Sequence, residues 1–223
     1  MIYPENYILS FQAGGLTPLM TDICREAFAD LKALFIVENG WMKQYLRNDV
    51  VTEAGKEGIE FFNNDEKIIT YINQMKSLIA NFQEFYSHKI IKKNEISRED
   101  CKIFLHLVVE LNKLYAITNY ERSDKAFLEK ENKPNITKNL EIISKYRDEA
   151  RIFLNKVCFE SGGYMDTVCN LLSQQFDLSR QEVNSYTQKE LLKLYQGKKL
   201  KNLILYQREK IFVVDSTNEK YYR

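Results

Sequence analysis

Few residues of this chain have the type and spacing to do chemistry. His106 and Glu110 stand four apart in Leu105-His106-Leu107-Val108-Val109-Glu110, the spacing at which two side chains meet on one helix face. An imidazole beside a carboxylate can move a proton or hold a metal. A di-metal helical site, however, repeats such a pair on a second helix, and no second helix here does so. The plainer reading is an exposed polar stripe on a buried helix. His88 ends the run Phe85-Tyr86-Ser87-His88, where a helix C-terminus favours the protonated imidazole without any catalytic role. Trp41, Tyr45, Tyr120 and Arg122 fall beside expected loops and hairpin edges, where a partly open groove can use a flat ring or a guanidinium to hold a ligand. With His106 and Glu110 they form the candidate binding set. No catalytic residue, metal-ligand set or cofactor is expected.

Other chemistries lack their motifs. Gly14-Gly15 and Gly162-Gly163 are turn residues, since neither is followed by Gly-Lys-Ser/Thr nor spaced as G-x-G-x-x-G. There is no G-x-S-x-G and no HExxH. Cys24, Cys101, Cys158 and Cys169 lack metal-ligand spacing and sit in apolar helix-like runs, which reads as reduced core thiols and suits a cytoplasmic location. The N-terminus has no basic region followed by an apolar core, so no signal peptide is expected. No run approaches the ~18 apolar residues of a membrane span. Lysine plus arginine number 32 against 31 acids, which argues against gripping nucleic acid by bulk charge. The fourteen tyrosines and thirteen phenylalanines mostly occupy helical core positions, not stacking positions for bases.

These residues must be positioned by elements that the hydrophobic pattern predicts. Tyr7 to Phe11 reads as extended, and Thr21 or Asp22 can cap a helix running to about Leu34. Asn39-Gly40 between Phe35-Glu38 and Trp41-Tyr45 predicts a hairpin, because both central residues of a type I′ turn need positive φ. Gly55 and Gly58 mark a loosened connection. Beyond it, Ile68, Ile72, Met75, Ile79, Phe82 and Tyr86 form a helical stripe. Ser97 with Asp100 starts the most apolar helix, Cys101 to Thr118, which should be central to the bundle. A polar loop containing Pro134 precedes a long helix through Ile143, Tyr146, Ala150, Phe153 and Val157. Val168, Leu171, Leu172 and Phe176 make another, closing at Asp177-Leu178. Ser179 with Glu182 and Thr187 with Glu190 match the capping box, so two short helices follow, the second ending at Gly197. Ile211-Val214 reads as a strand, with Lys220-Tyr222 able to pair with it. The predicted fold is mainly α, an antiparallel helical bundle with a small β-hairpin element. A single domain over 1–223 is expected, with residues 1–54 a helix-plus-hairpin subregion and 55–223 a bundle with a C-terminal strand.

The C-terminal block carries a resemblance. The succession Gln175-Phe176-Asp177-Leu178, Ser179-Arg180-Gln181-Glu182-Val183, Tyr186-Thr187-Gln188-Lys189-Glu190-Leu191-Leu192, Gly197, and Gln207-Arg208-Glu209-Lys210 leading into Ile211-Val214 resembles the central helical module of phosphoenolpyruvate-utilising phosphotransferases, the phosphoenolpyruvate synthase-like and rifampin phosphotransferase-like proteins. That module lies between an ATP-grasp domain and a swivelling phosphohistidine domain. His88 and His106 do not match the phosphohistidine motif, and the ATP-grasp portion has no counterpart. The resemblance therefore implies a non-catalytic substrate-binding or docking module, whose partners would be separately encoded ATP-grasp and phosphohistidine domains or a small-molecule acceptor, with no nucleic acid and no membrane. Two other readings compete with it: a small helical enzyme using His106 and Glu110, and a helical protein-interaction module.

Overall fold

A computed structural model describes residues 6–14, 16–31, 33–38, 41–91, 93–118, 120–199, 212–215 and 220–222. Alternating side chains over β2 (Leu34–Glu38) and β3 (Trp41–Arg47) build the expected hairpin, paired from Leu34↔Tyr45 to Glu38↔Trp41. Its turn, Asn39-Gly40, lies outside the described residues. β1 (Tyr7–Gly14) flanks β3, and β4 (Phe212–Asp215) pairs with β5 (Lys220–Tyr222) as the sequence suggests. β4 also joins β2, so the strands form one antiparallel sheet in the order β1-β3-β2-β4-β5. Phe35, Val37, Met42 and Leu46 share the face that enters the larger core.

The first helix differs from expectation at both ends. α1 runs Pro18–Ala27, with Thr17 as the cap accepting from the Met20 amide at 3.3 Å and Pro18 in the first turn. There proline's missing N–H removes nothing the helix needs. A 3-10 turn at Ala29–Leu31 replaces the expected continuation, because Leu34 is claimed by β2. Pro18 through Cys24 are buried without a break, Thr21 and Asp22 included. Thr21 donates its hydroxyl to the Thr17 carbonyl at 2.9 Å.

The predicted loosening at Gly55 and Gly58 is corrected: both lie buried inside α2 (Asn48–Phe62), so the 54/55 subregion boundary falls within a continuous helix. Gly58 is there for approach, not for flexibility. A Cβ on it would stand 2.2 Å from the Arg122 carbonyl oxygen in α5 (Tyr120–Glu129). α5 itself occupies the stretch expected to be a polar loop, and Pro134 begins α6 (Pro134–Cys158) instead of interrupting a loop. Arg122 fastens the junction, pairing with Glu57 at 2.8 Å and donating to the Ala116 carbonyl at 2.9 Å. Asn139, buried in α6, donates to the Phe62 carbonyl at 2.9 Å and to the Asp65 carboxylate at 2.8 Å.

The remaining helices follow their stripes. α3 (Asp65–Lys89) is capped by Asn64, and α4 (Arg98–Ala116) by Ser97, whose hydroxyl accepts from the Asp100 amide at 3.0 Å. α4 packs on α1, α3 and α6. Leu111 is buried, but Leu107 and Leu114 are half-buried and Ile103 is exposed, so the apolar face is narrower than the composition suggests. α7 (Tyr164–Phe176) ends on Asp177 in the left-handed region at φ 50°, a conformation that aspartate tolerates better than most residues. α8 (Arg180–Ser185) and α9 (Gln188–Leu194) both carry complete capping boxes. The fold is thus mainly α with a small antiparallel β element. No described helix is long and apolar enough to cross a membrane.

Two apolar clusters hold these elements. The larger gathers the inner sheet face, α1, α4 and α7 to α9; the smaller lies among α2, α3, α5 and α6 around Phe62, Tyr71, Met75 and Ile143. Across the larger one, the Asp22 carboxylate, 2% exposed, pairs with Arg25 at 3.1 Å and accepts the Gln188 amide at 2.9 Å. Asp22→Ala should cost about 3 kcal/mol in a urea titration, since it removes the counter-charge beside a largely buried guanidinium and the acceptor of the Gln188 amide. Asp22→Asn, which keeps an acceptor for Gln188, should cost less. Gly58→Ala should lose about 2 kcal/mol through overpacking, although alanine is the better helix former.

Candidate functional site

The sheet's inner face does not close fully on the helices. Between it and α1, α4 and α6 lies a cavity of about 230 Å³. Its walls are set by local backbone features. β1 carries an extra residue at Ser10, where the pairing steps from Leu9↔Tyr45 to Phe11↔Gln44. A bulge of this kind re-aims side chains, and here both Ser10 and Phe11 line the cavity. On β3 the period of two places Met42, Gln44 and Leu46 on one face, and Met42 and Gln44 line the same space. α1 contributes Cys24, α4 contributes Asn112, Tyr115 and Ala116, and α6 contributes Leu154 with Arg147 and Arg151. Half-buried Phe28 and exposed Phe11 and Phe159 add aromatic surface.

The polar groups of the lining are unevenly satisfied. Asn112 is buried; its Nδ2 donates to the Val108 carbonyl at 2.8 Å and lies 3.8 Å from the Cys158 Sγ. Thr118 donates its hydroxyl to the Tyr115 carbonyl at 3.2 Å. Gln44 is 3% exposed, yet its side-chain amide has no hydrogen-bond partner among the described residues. Such a group costs roughly 1–3 kcal/mol when left dry, and native structures hold few of them. The lining includes two arginines and no carboxylate. Arg151 pairs on the surface with Asp148 at 3.4 Å.

The residues singled out from sequence lie elsewhere. His106 is exposed and lines none of the described cavities; Glu110, one turn on, borders a shallow groove between α3 and α4 with Lys113 and Asn73. No hydrogen bond or ion pair joins His106 to Glu110 among the described residues, so the structure gives the pair the solvent-facing stripe, not a pocket. His88 is exposed and its Nδ1 donates to the Glu84 carbonyl at 2.9 Å. Trp41 and Tyr45 alternate with Met42 and Gln44, which puts them on the opposite face of the sheet. Trp41 is 49% exposed, its ring 3.5 Å from where a side chain on Gly14 would begin, while Tyr45 is buried. Arg122 is spent on the α2–α5 junction, and the Tyr120 side chain lies outside the described residues. The described side chains of the set are therefore not gathered in one place. No cluster of three or more potential metal ligands occurs among the described residues.

The four thiols are buried and unpaired by disulfides. Burial pushes Cys24 and Cys101 up to about 12 and Cys169 up to about 11, and raises Cys158 as well. A thiol held that high carries almost no thiolate at neutral pH and is a poor nucleophile. Cys24 therefore serves the cavity as an apolar wall.

Sequence reasoning passed over Gln44, Arg147 and Arg151. A signal for the first existed, because Met42-x-Gln44-x-Leu46 places an amide on an otherwise apolar strand face. Gln44→Met should leave the unliganded protein as stable as the parent or more stable by about 1 kcal/mol, read by thermal denaturation, since it removes a buried amide without a partner at similar volume. A loss of stability would show that the amide is satisfied in the folded state. Compared with protein-family models, with curated proteins and with solved structures, the chain matches none.

Proposed function

We propose that this chain is a non-catalytic helical module that holds a small acceptor molecule, related to the central module of phosphoenolpyruvate-utilising phosphotransferases and working beside separately encoded ATP-grasp and phosphohistidine domains. The observation that carries the binding role is the cavity between sheet and bundle, apolar in its body with a few polar side chains converging on it. That is the common form of a small-molecule site. The kinship is read from the sequence of the C-terminal block, of which the part from Gln175 to Leu192 spans the end of α7, α8 and most of α9, with capping boxes at Ser179 and Thr187. Protonated, buried cysteines and a solvent-facing His106 favour a binding role over a catalytic one.

The test uses a neutral one-ring probe, 3-phenylpropan-1-ol, followed by ligand-observed NMR against the full chain. Saturable binding at one site is expected, and it should vanish in Ala116→Phe or Leu154→Phe, which fill the cavity, with helical circular dichroism retained in at least one of them. Binding that survives both substitutions would place the site elsewhere. Hydrolysis of ATP by the chain alone, or its phosphorylation by phosphoenolpyruvate, would overturn the non-catalytic reading.

A further inference from the structure

The cavity's lining also selects the chemistry of its occupant. Resting on the ligand-binding reading above, we infer that the cavity takes a small monoanion with a single-ring apolar body and one hydrogen-bonding substituent, in chemical class a hydroxylated or keto-substituted arylalkanoate.

Three independent features converge on that class. The first is charge. Arg147 and Arg151 stand four apart on α6 and so share a face, both line the cavity, and no acidic side chain lines it with them. Asp148, the acid nearest in sequence, sits with Arg151 on the exposed side, each more than half exposed, in a pair at 3.4 Å that solvent screens. Planar guanidinium groups at the edge of an apolar space favour a carboxylate, which accepts their N–H groups in pairs.

The second is size. A dry apolar cavity of roughly 150 Å³ accepts benzene, so about 230 Å³ accepts one ring with a short chain. The aromatic side chains in the lining, Phe11, Phe28, Tyr115 and Phe159, suit a ring packed edge or face against them.

The third is the buried amide. Gln44 on β3 lines the cavity with its side chain unpartnered among the described residues, and the Asn112 amide on α4 lines it too. A purely hydrocarbon body would bury Gln44 a second time without satisfying it. A hydroxyl or carbonyl on the ring would do so, and such polar recognition discriminates strongly because the analogue lacking the group leaves the site unpaired.

Isothermal titration of the full chain with three probes tests this: 3-(4-hydroxyphenyl)propionate, the unhydroxylated 3-phenylpropionate, and the neutral 3-(4-hydroxyphenyl)propan-1-ol. The hydroxylated acid should bind tightest, by about tenfold over the neutral alcohol, as one charge-assisted contact implies. Arg151→Gln, at an exposed position that does not threaten folding, should weaken both acids several-fold and leave the alcohol unchanged; Arg147→Gln should do the same. Gln44→Met should erase the advantage of the hydroxylated over the unhydroxylated acid. If the alcohol binds as well as the acids, the anion assignment is overturned while the cavity remains a ligand site. If Gln44→Met leaves the hydroxyl preference intact, the assignment of the polar substituent is overturned. If none of the three probes binds, this inference and the binding role fall together.

Discussion

A carboxylate buried in an apolar core dictates much of the arrangement around it. Asp22 sits on a helix whose residues from Pro18 to Cys24 are all inside, and an ionised group there must be matched by charge and donors. Arg25, one turn on, supplies the charge, and the amide of Gln188 supplies a donor from 166 residues away in sequence. That donor is the first residue of α9, so the acid also meets the positive end of a helix. Gln188 reaches back from its side chain to Glu26 at 3.1 Å. The N-terminal helix and the C-terminal block are thereby held in one relation, and α4 is held in turn, since Tyr195 donates to the Ile96 carbonyl at 2.9 Å just before α4 begins. Hydrophobic burial is non-directional, whereas the contacts of this carboxylate tie α1 to the start of α9 at defined atoms.

With α1 fixed, the sheet lies over it and over α4 and α6, and the cavity follows from what that sheet presents. Phe35, Val37, Met42 and Leu46 fill the core face, but Gln44 stands among them where a leucine would pack. The Ser10 bulge adds a residue to the edge strand at that level. Two departures from the rules of a well-packed sheet thus fall beside one another, and α6 offers Arg147 and Arg151 as well as Leu154 to the same space. Sequences break local rules at functional sites more readily than elsewhere, because the loss in packing is accepted for what the site does.

The parts of this fold that sequence reveals are those encoded locally. A capping box occupies four residues, a hairpin turn two, and a helical stripe a few turns, so α7 to α9, the β2–β3 hairpin and the long stripes of α3 and α6 could be read directly. What could not be read depends on partners distant in sequence. The pairing of β2 with β4 joins Phe35 to Val214. Gly58 looks like a break until α5 is placed against it, and α5 is polar enough to pass for a loop because only one face meets α2 and α6. The dispersal of the candidate residues has the same origin. Trp41, Tyr45, Tyr120 and Arg122 were grouped by nearness to expected loops, whereas a site is defined by which face of which element meets another. Arg147 and Arg151 read as ordinary surface positions on an amphipathic helix until the sheet is set beside them.

The composition of the cavity wall bears on what an occupant would do to the rest of the fold. Its residues come from β1, β3, α1, α4 and α6, which are elements otherwise joined through the larger core and, for α4 and α6, through the smaller one as well. Tyr115 packs against both clusters and lines the cavity too. An occupant would therefore touch the sheet and the bundle at once and add contacts at the seam between them. Any ligand that binds only the folded state stabilises it by RT ln(1 + [L]/Kd), about 2.7 kcal/mol at a hundredfold excess over Kd. Delivered at this seam, that energy fixes the sheet against the helices. Occupancy would then be felt in the fold itself, as a tighter seam between sheet and helices.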